Sequence, residues 1–188
     1  MADYFSASLP MVQMGLTTSM IGLALGQIFF GPLSDKYGRR PLLLVSMLLF
    51  IVSTLFCLFA PDIYSFVTLR LIQGIAGAGG IVISRSVAID KFSGKELAKM
   101  LAVIGAINGV APVAAPVIGG LLTGSVGWQG IFMILLFIGI LLGIGCIRFK
   151  ESLPAEKRSK TGVWATFRSF GIIVHNRRYM LYVFQLAF

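Results

Sequence analysis

The chain has 188 residues, 57% hydrophobic and only 12% charged, with a formal net charge of +9. A soluble globular domain carries about 25% charged residues, so that class is excluded and an all-α polytopic membrane protein is expected. An excess of positive charge in a soluble protein would suggest nucleic acid. Here the basic residues sit between long apolar runs, so the expected partner is the lipid bilayer and not nucleic acid.

In chain order, Met1 to Gln13 precede a first apolar run, and five complete spans follow at approximately 14–33, 41–60, 64–88, 98–122 and 129–147. A sixth begins near Tyr179. A helix of about 20 residues crosses a hydrocarbon core about 30 Å thick. Between the first two spans lies Gly31-Pro32-Leu33-Ser34-Asp35-Lys36-Tyr37-Gly38-Arg39-Arg40, a short basic break that reads as a loop. The loops around Pro61-Asp62 and Thr123 to Gln129 carry no Lys or Arg. All 16 basic residues except Arg70 fall on one side of the expected topology, and the positive-inside rule makes that side the cytoplasm. Met1 to Gln13 then lies outside, and Trp128 reads as an outer interface anchor.

Phe149 to Arg178 is the longest polar stretch. Its first part, Glu151 to Thr161, contains Pro154 and reads as a solvated linker. Trp164, Phe167, Phe170 and Ile173 recur every third residue, the pattern of an amphipathic helix on the membrane surface. His175 reads as a solvated loop histidine. Cys57 and Cys146 lie inside apolar runs, form no C-x-x-C, and read as small buried hydrophobes.

Arg70 alone among the basic residues lies inside a span, where a charge is costly and tends to face a cavity or a partner. Arg70, Gln73, Gly74 and Gly77 recur at spacings of three and four, so they share a helix face. Small residues on that face allow close helix approach. The fourth span is dense in glycine and proline: Gly105, Asn108, Gly109, Pro112, Ala115, Pro116, Gly119 and Gly120. Such a helix bends readily and packs closely. There is no G-x-x-x-x-G-K-[ST] loop, no nucleophile–base pair and no metal-ligand cluster in the sequence. An enzyme, a metal site and a bound cofactor are therefore not expected.

The break at Gly31 to Arg40 resembles the loop between helices 2 and 3 of the major facilitator superfamily, G-x-x-x-D-[RK]-x-G-R-[RK]. Gly31, Asp35, Lys36, Gly38, Arg39 and Arg40 stand at its marked positions. R-x-x-Q-G at Arg70, Gln73 and Gly74 resembles the helix 4 motif of proton-coupled drug exporters in that superfamily. Ala111-Pro112-Val113-Ala114-Ala115-Pro116-Val117-Ile118-Gly119-Gly120 resembles the helix 5 antiporter motif in its Bcr/CflA form. Asp3-Tyr4-Phe5-Ser6-Ala7-Ser8-Leu9-Pro10 is similar to the end of helix 1 in the same exporters. Asp3, Leu9 and Pro10 match there, while Phe5 and Ala7 depart from the Tyr and Pro of the pattern.

The resemblance implies the major facilitator fold and proton-coupled export of small drug-like molecules across the inner membrane of a bacterium by alternating access. It implies proton coupling through Asp3, Arg70 and Gln73. It implies a gating cluster at Gly31, Asp35, Lys36, Gly38, Arg39 and Arg40, and an antiporter motif at Gly105, Pro112, Ala115, Pro116, Gly119 and Gly120. It also implies a fragment. Residues 1–148 would hold the end of helix 1 and helices 2 to 6, 149–178 the cytoplasmic central loop, and 179–188 the start of helix 7. The missing helix 1 and C-terminal half would then be partners. Two alternatives are an uptake transporter for a sugar or metabolite, which the helix 5 motif disfavours, and a truncated membrane protein that does not transport.

Overall fold

A computed structural model describes residues 1–154, 156 and 158, and it is helical throughout its regular structure. Helix α1 is a single turn, Ala2–Phe5. It is followed by α2, Leu9–Tyr37, α3, Arg39–Leu58, α4, Ile63–Lys91, and α5, Gly94–Ile147. Each of α2 to α5 is long and apolar enough to cross a membrane. The expected surface helix over 163–174, His175 and the sixth span lie outside the described residues.

Two features differ from the sequence expectation. The basic break is not an open loop. Helix α2 runs through Pro32 to Tyr37 and α3 starts at Arg39, so Gly38 is the single non-helical residue between them. Its φ of 102° and ψ of 158° lie in territory that glycine enters freely because it lacks a Cβ. The expected loop at Thr123 to Gln129 is likewise reduced to one residue. Within α5 only Gly127 leaves helical geometry, at φ 68° and ψ −178°, a region essentially confined to glycine.

That single residue reverses the chain. Residues Met100 and Ile104 before it and Leu142 and Cys146 after it line the same cavity of about 450 Å³ against α3 and α4. In a straight helix at about 1.5 Å per residue, Ile104 and Leu142 would stand ~57 Å apart. The arms 94–126 and 128–147 are therefore the two separate spans that apolar run length indicates.

The packing rests on small residues. Along the α2–α4 contact, a Cβ on Gly22 would collide with the Leu71 carbonyl, and one on Gly74 with the Ser19 carbonyl. A Cβ on Gly26 would stand 2.6 Å from both the Ile75 carbonyl and the Ala78 Cβ. With hydrocarbon on the outside, helix association relies on such close van der Waals contact. Helix α3 adds Ser46 against Gly79. On the 128–147 arm, a Cβ on Gly139 would stand 3.3 Å from the Phe50 ring and one on Gly143 3.1 Å from Ile51 of α3. Large apolar side chains such as Leu48, Phe56, Leu121 and Phe137 face outward, which suits a lipid-facing surface.

Candidate functional site: a buried arginine and a charged helix junction

Arg70 lies in the second turn of α4, whose N-terminus is capped by Asp62 accepting from the Ser65 N–H at 2.8 Å. Its Nε donates to the Gly15 carbonyl of α2 at 3.3 Å, and its Nη1 donates to Gln73 Oε1. Gln73, itself 3% exposed, donates through Nε2 to Thr54 Oγ1 of α3 at 2.6 Å. The Thr54 hydroxyl in turn donates a hydrogen bond to the Phe50 carbonyl at 2.6 Å. The guanidinium also stands over the Phe132 ring, 5.7 Å from its centroid.

An arginine at a span centre costs about 2.5–3.5 kcal/mol on insertion scales. Hydrogen bonds to a charged group contribute about 1.5–3 kcal/mol each, so two of them, with the ring, suffice to hold it. Among the side chains that the structure describes, which do not include that of Asp3, no carboxylate lies within ion-pair distance of Arg70. Two cavities, of about 300 and 220 Å³, both reach it. They share Leu16 and Leu135, and add Ser19, Gln73 and Gly77 on one side and Phe66 and Phe132 on the other.

At the same end as Arg70, an aromatic cluster closes the bundle. Tyr4 and Phe5 of α1, Phe66 of α4, and Trp128 and Phe132 of α5 pack edge-on or tilted with centroids 4.9 to 6.2 Å apart. This places α1 beside the Arg70 region. Asp3 belongs to α1, but its side chain is outside the described part of the structure.

The opposite end carries the charged junction. Arg39, 7% exposed, donates from Nη1 to Asp35 Oδ1 at 2.6 Å and to Ser34, and from Nε to Asp90 Oδ2 of α4 at 3.0 Å. Arg40 donates from Nη2 to the Ile147 carbonyl at the end of α5, 2.9 Å away. That contact suits a cation, since a helix C-terminus carries partial negative charge. Lys36 is spent on the Tyr37 ring, 5.3 Å from its centroid.

Glu151, just beyond α5, completes the junction. Its Oε1 accepts from the backbone N–H groups of Arg39 (2.9 Å), Ser152 (3.0 Å) and Leu153 (3.1 Å), and its Oε2 from that of Arg40 (3.2 Å). Arg158 Nη2 lies 3.6 Å from Oε2. Burial pushes the Glu151 carboxyl up, but the amide donors of Leu153, Arg39 and Arg40 and the Arg158 charge outweigh it and hold the group below the usual carboxylate range.

The structure thus brings Arg70 together with Gln73, as helical spacing implies, and Asp35 with Arg39 at the Gly38 junction, as the motif resemblance implies. The helix 5 group behaves differently. Gly105, Gly109, Gly119 and Gly120 have nothing within 4 Å of a Cβ position, and Pro112, Ala115 and Pro116 are exposed. Gly31 is also open. Sequence reasoning missed Thr54, Phe132, Asp90 and Glu151. Asp90 and Glu151 were visible as charges at span ends, but nothing in their spacing connects them to Arg39.

Comparison with known proteins gives a consistent set of relatives. A family model described as the Major Facilitator Superfamily matches residues 1–188. The protein named "uncharacterized MFS-type transporter YdgK" of Bacillus subtilis is 39% identical over 190 residues, covering 100% of this chain and 47% of that protein. The bicyclomycin resistance protein homolog of Haemophilus influenzae is 30% identical over 179 residues, covering 94% of this chain and 45% of that one. Multidrug resistance protein MdtL of Salmonella heidelberg is 28% identical and covers 81% and 39%. Among solved structures, the human organic anion transporter MFSD10 (TETRAN) superposes with a TM-score of 0.64 at 25% identity, covering 80% of this chain and 34% of that one. The chain spans about half the length of the first two of these relatives.

Proposed function

We propose a function on one premise: the chain belongs to the Major Facilitator Superfamily, with Bcr/CflA-type and multidrug-resistance proteins among its relatives. It forms part of a multi-pass membrane transporter, and transporters of this superfamily are generally not enzymes. The finer reading is proton-coupled export of small drug-like molecules across a bacterial inner membrane by alternating access. In it, residues 1–148 contribute to one bundle and 149–178 to the cytoplasmic connection, with 179–188 starting a further helix. Helix 1 and the C-terminal half would be supplied by the rest of a full-length transporter.

The observation that carries this reading is Arg70, a permanent charge inside a span, fixed by Gln73 and Gly15 and open to two cavities. A guanidinium keeps its proton, so it acts on coupling only through its field and its remaining donors. Asp3 is proposed as the carboxylate that answers it and carries the transported proton, since α1 lies at the same end as Arg70. The guanidinium field favours the ionised carboxylate, so substrate binding that brings the two groups together would release the proton.

Proton release on adding substrate to the full-length transporter in detergent tests this. Release is expected to be lost in Arg70→Ala and Asp3→Asn, and partly retained in Arg70→Lys, which lacks the fork geometry. Unchanged release in both of the first two variants would overturn the coupling reading.

A further inference from the structure

We propose that Glu151 is a positioning residue of the gating junction, a long-range cap that holds the start of α3 and so keeps Arg39 between Asp35 and Asp90. Helix α3 begins abruptly. Its N-cap is Gly38, which has no side chain to accept from the first N–H groups, and no side-chain cap is present from that position. Those donors must find an acceptor elsewhere. Glu151, more than a hundred residues on, supplies both carboxylate oxygens to the N–H groups of Arg39 and Arg40. The same carboxylate folds its own strand of chain around itself through Ser152 and Leu153. Ser152 Oγ then donates to Asp90 Oδ2 at 3.2 Å, the oxygen that also receives Arg39 Nε. The segment after α5 is thereby fastened to α3 and α4 at once.

This arrangement gives Gly38 a second reason to be glycine. A Cβ there would stand 2.6 Å from Glu151 Oε2 and 3.0 Å from Arg158 Nη2. The Gly-Arg-Arg step is therefore shaped to admit a carboxylate as well as to reverse the chain. In a moving transporter, the consequence is that the ends of α2, α3, α4 and α5 shift as one body, and Arg39 stays aimed at its two acids without its backbone fraying.

The kinetic arm of the test rests on the transporter reading; the amide arm does not. Hydrogen exchange of full-length protein in detergent reports the Arg39 and Arg40 amides directly. In Glu151→Gln both are expected to exchange faster by about tenfold or more, the loss expected for a bond to a charged acceptor. Glu151→Asp should give a smaller rise. Transport should fall about tenfold in kcat, with KM within about twofold, because the cap acts on the moving junction and not on the substrate cavity. Parent-like exchange at these amides in Glu151→Gln overturns the proposal, and so does faster exchange with unchanged kcat. Absence of transport in the parent itself would defeat the proposed function and leave the amide exchange to decide this inference.

Discussion

Two sets of glycines in this chain look alike in sequence and do opposite things. Gly22, Gly26 and Gly74 sit where α2 and α4 touch backbone to backbone, with no room for a methyl group. Gly105, Gly109, Gly119 and Gly120 lie on the 94–126 arm of α5 and face open space among the described residues. The first set is consumed by folding. The second leaves a bendable helix with an unengaged face, in the region that resembles an antiporter motif. A glycine in a spanning helix thus says that close approach is possible, and only its neighbours say whether it has been used.

The largest effect that would break this comparison comes from the seam. Gly74→Val is expected to cost at least about 1–3 kcal/mol, since over-packing against a fixed backbone has little room to relax. A thermal melt of the purified protein with a clear drop in Tm checks it, and a parent-like Tm would mean that α2 and α4 are farther apart than described. Next is the reversal within α5. Gly127→Ala should destabilise by about 1–3 kcal/mol because its backbone conformation is barely open to other residues; unchanged stability would mean that the two arms meet in some other geometry. Gly119→Ala should be neutral or gain up to about 0.5–1 kcal/mol in the chain described here, because alanine loses less entropy than glycine in a helix. In the full-length transporter the same substitution should slow transport. Equal loss of stability for Gly119→Ala and Gly74→Ala would erase the distinction.

The smallest effect is in pH. The Glu151 carboxyl sits below its ordinary range, so its contribution is present above the unfolded pKa of about 4.3 and is lost as pH falls through the lower folded value. Arg39, Arg40 and Arg158 face it, with Asp35 and Asp90 beyond them. The Tm gap between parent and Glu151→Gln is therefore expected to stay constant from about pH 8 to pH 5 and to shrink only below about pH 4. A gap that closes between pH 7 and 5 would mean that the amide donors do not hold the charged form.

The sequence by itself determined the class and the five apolar spans that fall among the described residues, because an apolar run of about 20 residues is a local property that a membrane reads directly. It also placed Arg70 beside Gln73, since helical spacing alone joins positions three or four apart, while the grouping of Asp35 with Arg39 came from the motif resemblance. The tertiary structure decided what lay farther off. It shortened two expected loops to the single residues Gly38 and Gly127, because a glycine at positive φ can turn a chain without help from neighbours. It brought Thr54 and Phe132 to Arg70, and Asp90 and Glu151 to Arg39. Those partners come from other helices, and their sequence separation carries no periodic signal. Which glycines are filled and which are open was likewise decided only when the helices met, since a missing side chain records an opportunity for contact and not the contact itself.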